Sequence, residues 1–158
     1  MENHAIENAQ AKLAHIVALV EALSVDFDNL NDFRDGIDLD RDDTACALDD
    51  LKTLENAECD DATSDDDIRE RIQEMPLSVE MRSEWHAPGE SSPFGEYRIL
   101  LTWGGPACQI VGALNPYGEP ESANIQYQDW GTRWESLDLD DAQSAALVFF
   151  ASNFYFGG

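Results

Sequence analysis

Apolar residues recur at helical spacing from Ala5 to Leu23. Ile6, Leu13, Ile16, Val17, Val20 and Leu23 follow the 3.6-residue period, and alanine fills many of the gaps, which favours helix further. Phe27, Leu30, Phe33 and Ile37 extend the stripe at steps of three, three and four. Ser24 and Asp26 are both good N-caps, so the pattern leaves open whether one helix or two cover this stretch. Gly36 is a plausible stop. A further helix from about Thr44 to Asn56 is predicted to bury Leu48, Leu51 and Leu54. Another opens at Ser64 with Asp65, Asp66 and Asp67 in its first turn, buries Ile68 and Ile72, and ends before Pro76. Ser64 and Asp67 resemble a capping box with Asp in place of Glu.

At Pro76 the period changes from helical to alternating. Leu77, Val79 and Met81 alternate with polar neighbours, and so do Tyr97, Ile99, Leu101 and Trp103. Cys108, Ile110, Gly112 and Leu114 follow the GGP turn at 104–106, and Ile125 and Tyr127 follow the turn-rich NPYGEPES at 115–122. This pattern predicts four strands joined by hairpin-like turns, with Trp103 in the core and a long loop at 86–96. Asp138, Asp140 and Asp141 lead into an apolar helix from Ala142 to about Asn153, expected to lie across one face of the sheet. The aromatic FYFGG end is expected to pack. The expected fold is α+β. An acidic N-terminal segment of three to four helices (residues 1–75) precedes a four-stranded antiparallel sheet with a C-terminal helix packed on it (residues 76–158). No internal repeat is visible.

At 158 residues and 43% hydrophobic, the chain is long enough for one domain, or for two small subdomains sharing a core, and is not the composition of a disordered protein. Charge is the outlier: 33 acids against 9 bases, a net of −24. Residues 1–75 carry 22 acids and 6 bases, a net of −16, and residues 76–158 carry 11 and 3, a net of −8. Such a field repels nucleic acid and anionic membranes and favours a basic partner. Cys46, Cys59 and Cys108 form no CxxC pair and read as reduced thiols. The first residues lack the basic start of a signal peptide, and no apolar run is long enough to cross a bilayer. The expectation is a soluble, cytoplasmic protein.

Residues 35–43 read DGIDLDRDD, with five aspartates in nine positions. The helix macrodipole gives a structural reason for Asp65–Asp67, and for Asp42 and Asp43 ahead of Thr44. It gives none for Asp35, Asp38, Asp40, Asp49, Asp50, Glu55, Glu58, Asp60 and Asp61, and like charges at three- and four-residue spacing oppose helix formation. Asp38, Asp40 and Asp42 match positions 1, 3 and 5 of an EF-hand loop. Position 6 is Asp43 rather than the required glycine, however, and position 12 is Asp49 rather than a bidentate glutamate. No dedicated metal site and no cofactor are expected.

Catalytic signals are equally thin. His86, in SEWHAPG, is the histidine placed most like a functional residue, and no nucleophile elbow accompanies it. Cys108 falls on an apolar strand face, where an inert core thiol is the commoner case. With 33 acids some carboxylate pair is always at hand, so pairing alone carries no information. No Gly-rich phosphate loop is present. The chain therefore reads as a non-enzyme. In QDWGTRW, Trp130 and Trp134 flank Arg133 where the alternation breaks. An exposed tryptophan beside an arginine suits a protein contact, while a core plug at the sheet's end is the equal alternative.

The runs PLSVEMRSEWHAPGE, EYRILLTWGGPACQIVGAL and GEPESANIQYQDWGTRW and the FYFG end resemble a family of small acidic proteins encoded by proteobacterial phages and integrative elements. The alanine-rich first helix and VDFDNLNDFRD are similar too, so the resemblance covers nearly the whole chain. It brings no catalytic residues. It implies company with anti-CRISPR and anti-restriction proteins, whose strongly acidic members imitate DNA.

Three readings follow. The first is a DNA-mimicking inhibitor whose carriers are Asp35, Asp38, Asp40, Asp42, Asp43, Asp49, Asp50, Asp60 and Asp61, facing a basic nucleic-acid-binding partner. Its carboxylates would alternate at about 6.6 Å along an extended Asp38–Asp42 stretch, or sit about 5–6 Å apart on a helix. The second is acidity serving solubility or salt tolerance, which the uneven charge opposes. The third is a small-ligand enzyme using the His86 loop. An exposed edge strand, or the stripe of the first helix, would support a homodimer.

Overall fold

The computed structural model describes residues 4–83, 85–90, 94–104, 106–129 and 132–156. Four helices come first: α1 (His4–Ala22), α2 (Phe27–Arg34), α3 (Arg41–Asn56) and α4 (Asp65–Glu74). An antiparallel sheet follows, with strands β1 (Ser78–Ser83), β2 (Phe94–Thr102), β3 (Ala107–Ala113), β4 (Asn124–Gln128) and β5 (Glu135–Ser136) in sequential order. Helix α5 (Asp141–Ala151) closes the fold. The architecture is α+β as expected, with five strands rather than four. β5 has two residues, too few for an alternating pattern to register in the sequence, and pairs through Gln126↔Ser136 and Tyr127↔Glu135.

The chain breaks between α1 and α2, where the Asp26 side chain accepts from the Asn29 amide at 3.1 Å. α2 ends in a Schellman arrangement: Gly36 takes φ +79°, and the amides of Gly36 and Ile37 donate to the carbonyls of Phe33 and Asp32. That reversal takes Ile37 out of the stripe, and it is 52% exposed. α3 begins three residues before Thr44 because Asp40 caps it, accepting from the Asp43 amide at 2.7 Å. Its buried line runs through Ala47 and Leu54, with Leu51 beside it. Leu48, expected in the core, is half exposed because it lies one helical step, about 100°, off that line.

The predicted capping box at α4 does not form. Ser64 makes no side-chain cap, and the Asp67 carboxylate instead accepts from the amide (2.8 Å) and hydroxyl (3.2 Å) of Thr63. These bonds favour the ionised carboxylate and hold Asp67 below its ordinary pKa.

α1 makes the most extensive helix contact with the sheet, over β3 and β4, and α5, expected to lie across the sheet, packs chiefly along α1 because α1 already covers those strands. The fully buried Ala5 and Ala9 are small enough for neighbouring elements to come near the backbone of α1. Alanine in this helix is therefore core, beside Leu13, Ile16, Leu19 and Ala22. The sheet contributes Tyr97, Ile99, Cys108, Ile110 and Ile125, so one core is shared across Pro76. Phe156 packs on Tyr97 with ring centroids 5.0 Å apart. Trp103 corrects the expectation of a core residue, being 72% exposed. An extra residue in β2 shifts the register between Leu100 and Thr102, the strand ends there, and Trp103 lies past the last pair. β2 also begins at Phe94, which shortens the loop expected at 86–96.

The other face of the sheet is polar. It holds a hollow of about 550 Å³ lined by residues including Arg82, Glu96, Arg98, Gln109 and Gln126. Gln109 and Gln126 sit opposite each other and hydrogen-bond at 2.9 Å.

Candidate functional site

The nine aspartates all fall on the α2–α3–α4 layer, and each is exposed except the half-buried Asp50. They do not form one row. Asp35 is the C-cap of α2, and Asp38 and Asp40 lie on the link to α3. Asp42 does not continue the extended stretch predicted through Asp38 and Asp40, because Arg41 already begins the helix. Asp42 and Asp43 are first-turn residues of α3, where the macrodipole favours them. Asp49 and Asp50 follow Asp42 and Asp43 seven residues on, about 10.5 Å further along the same helix. Asp60 and Asp61 sit in the α3–α4 turn beyond the other end.

Two of these positions gather residues that the sequence pattern did not join to the acidic set. Asp50 reaches α2, its carboxylate accepting from the Asp26 amide at 3.3 Å, and the Asn29 side chain donates to the Asp43 carbonyl at 2.9 Å. Asp26, Asp43 and Asp50 therefore surround the exposed Cys46 thiol. Asp50 most of all, then desolvation and the charges of Asp26 and Asp43, hold this thiol above its ordinary pKa. At the α3–α4 turn, Glu58 takes φ +59° and Cys59 is buried beneath it. Burial raises the Cys59 thiol, and Arg71 partly offsets that. Burial alone pushes Cys108 up to about 12, with Lys12 pulling the other way. Neither buried thiol is poised as a nucleophile.

The cations of the layer are placed unusually. The Arg34 guanidinium donates to the backbone carbonyls of Ala62 (2.6 Å) and Asp60 (2.9 Å), and Arg71 donates to the Glu58 carbonyl at 3.2 Å. These bonds pin the α3–α4 turn against α2 and α4. Of the nine aspartates, only Asp61 has an ion-pair partner among the described residues, Arg71 at 3.2 Å. Arg41 and Lys52 make no ion pair among them. Sequence counting gives the charge excess, but not that arginine is spent on backbone.

Among the described residues, no group of three or more His, Cys, Asp or Glu could hold a metal ion. His86 and Trp85 are exposed in the β1–β2 connection, and His86 lines neither the sheet hollow nor the small cleft at the α3–α4 turn. Arg133 is exposed and Trp134 half-buried, while Trp130 lies outside the described residues. No helix among the described residues is long and apolar enough to cross a membrane. Compared with protein-family models, with curated proteins and with solved structures, the chain matches none.

Proposed function

We propose that this chain is a non-enzymatic interaction protein whose α2–α4 layer occupies the nucleic-acid-binding groove of a basic partner. In the setting implied by the phage and mobile-element resemblance, that partner is a host defence complex of the CRISPR or restriction type. The reading is carried by one observation: eight of the nine aspartates have no ion-pair partner among the described residues, while Arg34 serves backbone carbonyls. A solubility coat needs no such separation. The pairs Asp42/Asp49 and Asp43/Asp50 repeat at about 10.5 Å along α3, close to three phosphate steps of about 3.4 Å each along a DNA strand. A groove lined with Lys and Arg would meet these carboxylates, release its counterions, and bind more weakly as salt rises.

The test is capture from a host lysate on immobilised protein, with elution by salt and by duplex DNA. Support requires a nucleic-acid-binding protein that duplex DNA displaces and that the Asp38→Asn/Asp40→Asn/Asp42→Asn variant releases at clearly lower salt. Capture that duplex DNA does not disturb, or that the variant retains in full, overturns the proposal.

A further inference from the structure

β1 is an edge strand, paired with β2 on one side only. Natural edges are commonly blunted by proline, lysine or shortness. This one runs six residues, SVEMRS, without Pro or Lys. Its two faces differ. On the hollow side, Glu80 sits opposite Arg98 and Arg82 opposite Glu96, and each pair forms an ion pair. On the helix side the odd-numbered positions leave apolar surface open: Leu77 is 64% exposed, Val79 37% and Met81 39%, and beyond the strand end Trp85 is fully exposed.

We infer that β1 pairs with β1 of a second copy of this chain, antiparallel about a two-fold axis at Met81, joining two sheets edge to edge.

Charge selects the register. Centring the axis on Glu80 or on Arg82 would set like charges opposite each other, which is destabilising. Centring it on Met81 places Glu80 opposite the second copy's Arg82, and Arg82 opposite the second copy's Glu80. The row Arg98, Glu80, then Arg82 and Glu96 of the second copy then alternates in sign from sheet to sheet. The other face agrees independently. In the same register Met81 meets its own counterpart and Val79 lies opposite Ser83. The apolar surface that Met81 leaves open at the edge is thus covered by the second copy's Met81. A two-fold normal to the sheet can pass through either kind of antiparallel pair, so the backbone ladder closes whichever groups of β1 point outward.

The −24 net charge of each copy opposes association, yet the strands at the seam are balanced in charge. β1 and β2 together hold two acids and two bases. The repulsion between the two copies' distant acids falls off over about 8–10 Å at moderate salt, so the balanced strands dominate at contact and added salt tightens the dimer.

Sedimentation of the intact chain, diluted from about 100 μM to about 1 μM, tests this. The expected result is a species of twice 17.6 kDa, favoured by salt, whose dissociation constant rises at least about tenfold in Met81→Lys while circular dichroism is unchanged. On a Cys46→Ser background, Met81→Cys is expected to form an intermolecular disulfide faster than Val79→Cys. A monomer at every concentration and salt overturns the inference, as does a dimer indifferent to Met81→Lys or a faster cross-link at Val79→Cys. None of these outcomes bears on the acidic-layer proposal.

Discussion

β1 and β2 hold two acids and two bases, and every one of them is ion-paired across the strands. Residues 26–74 hold nineteen acids and five bases, a net of −14, and their ion pairs are few. One chain thus treats charge in two ways. On the strands, charges sit opposite their complements, as cross-strand geometry allows. On the helical layer, Arg34 and Arg71 brace backbone carbonyls, and most of the carboxylates have no ion-pair partner. Apart from the caps made by Asp26 and Asp40 and the Asp67 bonds to Thr63, most of the layer's carboxylates make no bond that helps hold the fold. The layer's folding stability comes instead from Leu30, Leu54, Ile68 and Ile72, all fully buried.

The largest expected effect tests the packing side of the contrast. A Cβ at Gly112 would lie 1.9 Å from the Ser122 carbonyl and 2.7 Å from the Tyr97 ring. The Tyr97 hydroxyl donates to that same carbonyl at 2.6 Å, so neither neighbour can yield easily. Gly112→Ala is expected to lower stability by about 3 kcal/mol or more, read by urea denaturation. Wild-type stability there would show that the strands do not depend on this close approach.

Asp40 separates the two uses of a carboxylate within the acidic layer. Asp40→Ala is expected to lose about 1 kcal/mol by removing the α3 cap, whereas Asp40→Asn keeps the cap and loses almost nothing. A smaller pair of changes should carry opposite signs. Asp49→Asn removes an unpaired like charge and is expected to stabilise by about 0.3 kcal/mol, whereas Glu80→Gln breaks a cross-strand ion pair and is expected to destabilise by a similar amount. Equal signs in denaturant titrations would erase the contrast.

The mildest test reads the field directly. Cys46 is the one exposed thiol among the described cysteines, and Asp50 is the main reason its pKa is raised. Asp50→Asn should lower that pKa, enlarge the thiolate fraction near pH 8, and speed iodoacetamide alkylation several-fold. An unchanged rate would mean that the aspartates around Cys46 are already compensated.

Much of the fold was legible in periodicity. Ile68 and Ile72 are buried as their spacing demanded, and the alternation through Tyr97, Ile99 and Leu101 marks the core face of β2. What escaped depends on tertiary context. Alanines at 5 and 9 read as helix formers because burial of a small residue against a neighbouring element leaves no trace in local sequence. Leu48 and Trp103 read as core because hydrophobicity does not reveal where a helix face turns or a strand stops. At the site, the acid excess was visible residue by residue. The grouping of Asp26 with Asp43 and Asp50, and the commitment of Arg34 to carbonyls, required the packing of α2 against α3.

The most direct test of the central claim is the salt dependence of binding to the DNA-displaceable partner, compared between the wild type and the Asp38→Asn/Asp40→Asn/Asp42→Asn variant. The account predicts that log affinity falls linearly with log salt, with a clearly shallower slope in the variant because fewer carboxylates displace counterions from the groove. A slope equal in the two proteins, or no dependence on salt at all, would contradict it.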